Sequence, residues 1–103
     1  MPGELVDDCV LVKDEREASQ VYNKGFYGYP LSGGALELDL LEASYLLETG
    51  RLEVLQNGDQ LDFSDMIRIS AMAYEGFEIK YIVYRDLRQR GYVVKPDSGV
   101  FDF

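Results

Sequence analysis

The chain contains no histidine and a single cysteine, Cys9. The first absence removes the commonest general acid-base group and the commonest metal ligand. With one cysteine, neither the zinc-binding spacings nor an internal disulfide can be assembled. Cys9 lies beside the apolar run Val10-Leu11-Val12 and reads as a packed thiol, not a nucleophile. Carboxylates cluster at Asp7-Asp8, Asp14-Glu15 and Asp62 with Asp65. They could hold a cation weakly, but each group lies at the end of an expected element, where helix capping explains it. Ser32-Gly33-Gly34 is too short to cradle a phosphate, and no dinucleotide or P-loop fingerprint occurs. No catalytic residue, cofactor or metal site is therefore expected from pattern alone. The groups left to consider are cations: Arg85, Arg88, Arg90 and Lys95 fall in one stretch and are candidates for contact with RNA or with another protein domain.

That stretch stands out against the charge of the whole. The 103 residues carry a formal charge of -9, which disfavours a general nucleic-acid binder. From Phe77 to Lys95, however, five basic residues face two acidic ones, a local +3, and the rest of the chain carries -12. Such an acidic body with a basic segment suits a partner surface, an RNA-facing edge or adaptation to high salt, and equally a plain solvated helix face. A paired Arg85 and Asp86, or Asp86 and Arg90, on that helix would contribute only about 0.3–0.5 kcal/mol.

The elements that must position these groups follow from periodicity. Ile79, Ile82, Val83 and Leu87 recur at three- and four-residue steps, which places an apolar face on a helix from Phe77. Gly91 stops it, and Tyr92-Val93-Val94 reads as a strand, followed by a turn at Pro96-Asp97-Ser98-Gly99 and a second strand from Val100. Upstream, an acidic, mobile N-terminus leads into a strand at Cys9–Lys13. Asp14 caps a helix to Lys24, with Ala18, Val21 and Tyr22 inside. Leu36 and Leu38 alternate with acids as a strand, Asp39 caps a helix from Leu40 to Thr49, and Leu52, Val54 and Leu55 form a strand closed by Asn57-Gly58. Ser64 caps a third helix, and Gly76 separates it from the Phe77 helix. Tyr22, Tyr45 and Tyr74 are expected in the core with hydroxyls at its rim. The class is α+β: a small domain of three helices with a short mixed or antiparallel sheet over residues 1–75, then the first helix and strands of a second, incomplete domain over 76–103. No apolar run approaches the ~20 residues of a membrane span, and the acidic start is unlike a signal peptide, so a cytoplasmic location is expected.

Tyr81 to Lys95, reading Y-I-V-Y-R-D-L-R-Q-R-G-Y-V-V-K, resembles the helix-to-strand entry of the catalytic domain of archaeal tRNA-intron endonucleases. Leu36, Leu38, Leu40 or Leu41, Glu42, Ala43, Tyr45, Leu46, Leu47, Glu48 and Gly50, followed by Leu52-Glu53-Val54, resemble the pattern of that family's N-terminal domain. The two stretches cover about a third of the chain, in the family's order.

The resemblance implies a role in removing pre-tRNA introns at bulge-helix-bulge motifs. In that family a tyrosine, a histidine and a lysine perform metal-free cleavage, leaving 2',3'-cyclic phosphate and 5'-hydroxyl ends. All three lie beyond the strand that begins near Val100; Tyr84, Tyr92 and Lys95 precede them, and Asp102-Phe103 falls within the motif leading to the tyrosine. These residues are therefore expected to be inactive by themselves and to serve as a structural, assembly portion. The implied partners are a catalytic domain or subunit, pre-tRNA through the assembled enzyme, and other subunits of a homo- or hetero-oligomer, with no membrane. The alternative is a protein-interaction module that uses the same fold without a role in tRNA splicing.

Overall fold

The computed structural model describes residues 2–95, so the expected turn at Pro96–Gly99 and the strand from Val100 lie outside the described residues. The described elements are strands β1 (Gly3–Val6), β2 (Cys9–Val12), β3 (Tyr29–Pro30), β4 (Leu36–Asp39), β5 (Val54–Gln56) and β6 (Asp59–Leu61), with helices α1 (Glu15–Asn23), α2 (Leu40–Glu48), α3 (Phe63–Ala73) and α4 (Phe77–Gln89). This is the expected α+β class. The strands form one sheet in the order β3-β4-β2-β1-β5-β6, antiparallel except for the parallel pair β1 and β5.

The core lies between the sheet and the helices. Val10 and Val12 on β2 pair with Leu38 and Leu36 on β4, and all four are buried on the same face. The alternating residues Leu11 and Glu37 turn the other way, as period-two patterning requires. Helix α2 lies across β2 and β4 and is buried from Leu40 to Leu46, which makes it the central helix. Pro30, which cannot donate to a ladder, sits on the edge strand β3.

Several boundaries follow the side-chain chemistry. The Asp14 carboxylate accepts from the Glu17 amide at 3.0 Å and starts α1. Asp39 accepts from the Leu41 amide at 2.8 Å, and Glu42 returns a bond to the Asp39 amide, a full capping box for α2. Asn57 and Gly58 both have positive φ, 52° and 85°, the conformation a two-residue hairpin between β5 and β6 demands.

Four expectations are corrected. The N-terminus is no loose tail: Gly3–Val6 is an interior strand, held by β2 on one side and β5 on the other. Helix α3 is capped by Asp62, not Ser64. Asp62 accepts from the Asp65 amide at 2.8 Å and Asp65 from the Asp62 amide at 3.2 Å, so the helix starts at Phe63 and Ser64 falls in its exposed first turn. Tyr92–Val94 forms no strand, since no ladder partner lies beside it among the described residues. Tyr74 is 36% exposed at the end of α3, donating its hydroxyl to Asp8 at 3.3 Å, while Tyr27, Tyr81 and Tyr84 join Tyr45 in the core.

Candidate interface around the fourth helix

Helix α4 carries two apolar faces. Phe77, Tyr81, Tyr84 and Arg88 follow each other at three- and four-residue steps and are all buried. Their rings interlock with the other helices: Phe77 stacks on Tyr81 with centroids 6.2 Å apart, Tyr81 meets Phe63 of α3 at 5.6 Å, and Tyr84 stands edge-on to Tyr45 of α2 at 6.0 Å. The Tyr81 hydroxyl donates to Glu48, and its pKa is pushed up by burial first and by that carboxylate second. Tyr84 is pushed up likewise, by burial and the nearby Glu42 charge, against the opposing pull of Arg88. Both phenols therefore hold their protons firmly, the reverse of what a general base needs.

The other face is the isoleucine stripe of the sequence, and it points to solvent. Ile79 is 71% exposed and Ile82 57%, with Val83 and Leu87 half-buried beside them. The spacing of these residues is that of a core-facing stripe, yet among the described residues nothing covers it.

The four candidate cations divide between the faces. Arg85 reaches Glu48 at 3.0 Å and lies 5.6 Å from the centre of the Tyr81 ring. Arg90 pairs with Asp86 at 2.9 Å, one helical turn earlier, on an exposed surface. Arg88 turns inward. It donates to the Tyr84 hydroxyl at 3.1 Å, the Gly25 carbonyl at 2.8 Å and the Val94 carbonyl at 3.3 Å, with its guanidinium stacked on Tyr27. Lys95 follows the same pattern, donating to the carbonyls of Phe26 and Gly28 and lying near the rings of Tyr22 and Tyr29. Arg88 and Lys95 thus fasten the end of α4 to the loop between α1 and β3. In that loop Phe26 holds a φ of 57°, uncommon for a bulky side chain, and its amide donates to the Tyr22 carbonyl at 2.7 Å.

Glu42 completes this arrangement, and the sequence reading carried it only as part of a family pattern. Its fully buried carboxylate accepts from the Gly28 amide at 2.7 Å and from the Asp39 amide at 3.0 Å. Burial raises its pKa, opposed by those two bonds and by Lys95. Gly28 has φ 76°, and an added Cβ would stand 2.6 Å from the Glu37 carbonyl oxygen, so the loop can approach the sheet only with glycine there. The local signal for Glu42 was its position three residues after Asp39, the capping-box spacing.

Comparison with known proteins agrees with this frame. The model of the family described as tRNA intron endonuclease, N-terminal domain, matches residues 1–67. A tRNA-splicing endonuclease of Methanococcoides burtonii is 48% identical over 103 residues, covering 100% of this chain and 28% of that protein. One from Sulfurisphaera tokodaii is 39% identical over 110 residues, covering 97% of this chain and 60% of its own length. One from Pyrococcus horikoshii is 44% identical over 91 residues, 88% of this chain and 53% of that protein. The chain thus spans between 28% and 60% of the length of these relatives.

Proposed function

The chain belongs to the tRNA intron endonuclease N-terminal domain family, and on that premise we propose that it is a non-catalytic, assembly portion of an archaeal tRNA-intron endonuclease. The activity it serves is removal of introns from pre-tRNA in the cytoplasm, without a metal, leaving 2',3'-cyclic phosphate and 5'-hydroxyl ends. Its partner is a catalytic unit, on the same polypeptide or another, within a homo- or hetero-oligomer that engages pre-tRNA. Residues 1–75 constitute the N-terminal unit and residues 76–103 begin the catalytic-type unit, with α4 as the seam.

The observation that carries this reading is the two-faced α4. Its tyrosines lock it to α2 and α3, and its isoleucines are presented outward at core spacing. A helix built this way mounts a second folded body on the first. Arg85 and Arg90 border the exposed face and serve that protein contact; Arg88 and Lys95 hold the helix exit in place.

The test uses the catalytic unit of an archaeal tRNA-splicing endonuclease and a bulge-helix-bulge RNA. The pure chain leaves the RNA intact and co-elutes with the catalytic unit, and Ile79→Asp with Ile82→Asp abolishes co-elution. Site-specific cleavage by the chain alone would overturn the non-catalytic assignment. Undiminished co-elution of the double variant would remove α4 as the seam.

A further inference from the structure

The strand residues that alternate with the buried ones, Glu4, Leu11, Glu37 and Leu55 among them, are exposed or half-buried, so among the described residues the second face of the sheet is open to solvent. Strand register lines up one residue from each strand across that face: Tyr29 opposite Glu37, Glu37 opposite Leu11, Leu11 opposite Glu4, Glu4 opposite Leu55, and Leu55 opposite Gln60. At about 4.8 Å per strand this row is roughly 24 Å long. Tyr29, Leu11 and Leu55 alternate along it with the carboxylates of Glu37 and Glu4 and the amide of Gln60, and every member is exposed or half-exposed. Val6, 39% exposed, and Cys9 extend the apolar part in the adjoining row.

Carboxylates outnumber cations on this face. Asp7 and Asp8 stand at its end in the β1–β2 turn; burial first, and then the charges of Glu37, Asp8 and Asp7, push the pKa of the Cys9 thiol up. Among the described residues two bases come near it. Lys95, held by the Gly28 carbonyl, lies 5.0 Å from the centre of the Tyr29 ring at one end of the row. Lys13 reaches Glu4 at 3.2 Å, and both side chains of that pair are half or more exposed, so the contact is weak and displaceable. An ordinary solvated sheet face interleaves both signs of charge; this one pairs carboxylates with aliphatic surface. Phosphate backbones would be repelled, and a second copy would bring like charges together.

We propose that this face binds a basic segment of a partner protein whose Lys or Arg side chains alternate with aliphatic ones. The aliphatic residues seat on Leu11 and Leu55, and the cations meet Glu37 and Glu4. This surface is separate from α4 and does not depend on the role proposed for it.

The probe is a helical peptide with leucine and lysine on successive turns of one face, because a rise of 5.4 Å per turn is close to the strand spacing. Its counterpart carries glutamate in place of lysine. In NMR titration of the full chain at low salt, the lysine peptide is expected to shift the signals of residues 4, 6, 11, 37 and 55, and the glutamate peptide none. Glu4→Lys with Glu37→Lys should weaken binding at least tenfold, and the milder Glu4→Gln with Glu37→Gln several-fold with the fold undisturbed. Glu75→Lys with Glu78→Lys, a reversal of equal charge elsewhere, should change affinity less than twofold. Equal loss in that control, shifts spread over all acidic surfaces, binding of a short RNA to the same residues, or dimerisation of the wild type through them would each overturn the proposal.

Discussion

The guanidinium of Arg88 lies 4.0 Å from the centre of the Tyr27 ring, stacking the end of α4 on the loop that follows α1. A cation so deeply buried is tolerated because each of its three nitrogens donates: two carbonyls and the Tyr84 hydroxyl accept from it.

Removing that side chain should be costly. Hydrogen bonds to a charged group contribute about 1.5–3 kcal/mol and cation–π stacking about 1 kcal/mol, so Arg88→Ala is expected to lower unfolding free energy by about 3 kcal/mol. Arg88→Lys should recover less than half of the loss, since an ammonium lacks the flat guanidinium that stacks on Tyr27 and the spread of donors that reaches Tyr84, Gly25 and Val94 together. Urea unfolding of the three proteins checks both values. A loss under 1 kcal/mol for the alanine variant would mean that the clamp is dispensable.

Two glycines with similar backbone angles separate crowding from conformation. Gly28 and Gly50 have φ of 76° and 74°, but an added Cβ at Gly28 meets the Glu37 oxygen at 2.6 Å while that at Gly50 meets nothing within 4 Å. Gly50→Ala should cost about 1 kcal/mol, the left-handed penalty alone. Gly28→Ala should cost about 3 kcal/mol, because the loop must also withdraw from the sheet and from Glu42. Thermal melts of the two variants give the comparison directly.

The start of α3 offers a test of capping. Asp62→Ala removes the acceptor for the Asp65 amide and should cost roughly 1 kcal/mol. Ser64→Ala, within the exposed first turn, should cost less than half of that. Equal effects would return the cap to Ser64.

How far the sequence carried this fold depended on where its signals were local. Asp14 and Asp39 announced α1 and α2 because a cap and its helix lie within four residues. Asn57-Gly58 announced its hairpin because the dipeptide itself selects the turn. β1 went unread because Gly3-Glu4-Leu5-Val6 has no alternation of its own, and its interior position depends on β5, some fifty residues away, as well as on the neighbouring β2. At the candidate interface, hydropathy favoured Ile79 and Ile82 over Tyr81 and Tyr84, although the tyrosines are the buried set. The phenols can go inside only because Glu48 and Arg88 are there to satisfy them, and those partnerships are tertiary. Arg88 and Lys95 were read as surface cations for the same reason: burial of a charge is decided by carbonyls from a distant loop.

Glu42 should tie stability to pH in a direction opposite to most carboxylates. Its folded-state pKa is raised above the ordinary 4.5, so the folded form binds its proton more tightly than the unfolded chain. That contribution is fully present below pH 4.5 and is lost as pH rises through the elevated value. Glu42→Gln lacks the titration and, like the protonated acid, offers one good acceptor to the two backbone donors. The stability of the wild type relative to the variant should therefore be highest at and below pH 4.5 and fall as pH increases. Paired urea titrations from pH 4 to 8 check it, because the other carboxylates cancel in the difference. A margin that grows with pH would show that the ionised form is the one the site prefers.

The two faces of α4 make the sharpest contrast in side-chain cost. Tyr84 is fully buried between Tyr45 and Arg88, so Tyr84→Ala should lose about 4 kcal/mol through the cavity and the orphaned guanidinium. Tyr84→Phe keeps the ring and loses one acceptor for Arg88, a cost of about 1–2 kcal/mol. Ile82→Ala, on the exposed face, should change the stability of the isolated chain by less than about 0.5 kcal/mol. In the presence of a catalytic unit the order changes: Ile82→Ala should then weaken association several-fold, although it barely altered the melting of the chain alone. Denaturant unfolding supplies the first comparison and co-elution the second. If Ile82→Ala destabilised the isolated chain as much as Tyr84→Phe does, the isoleucine face would have to be packed within this body, and α4 could not present it to another.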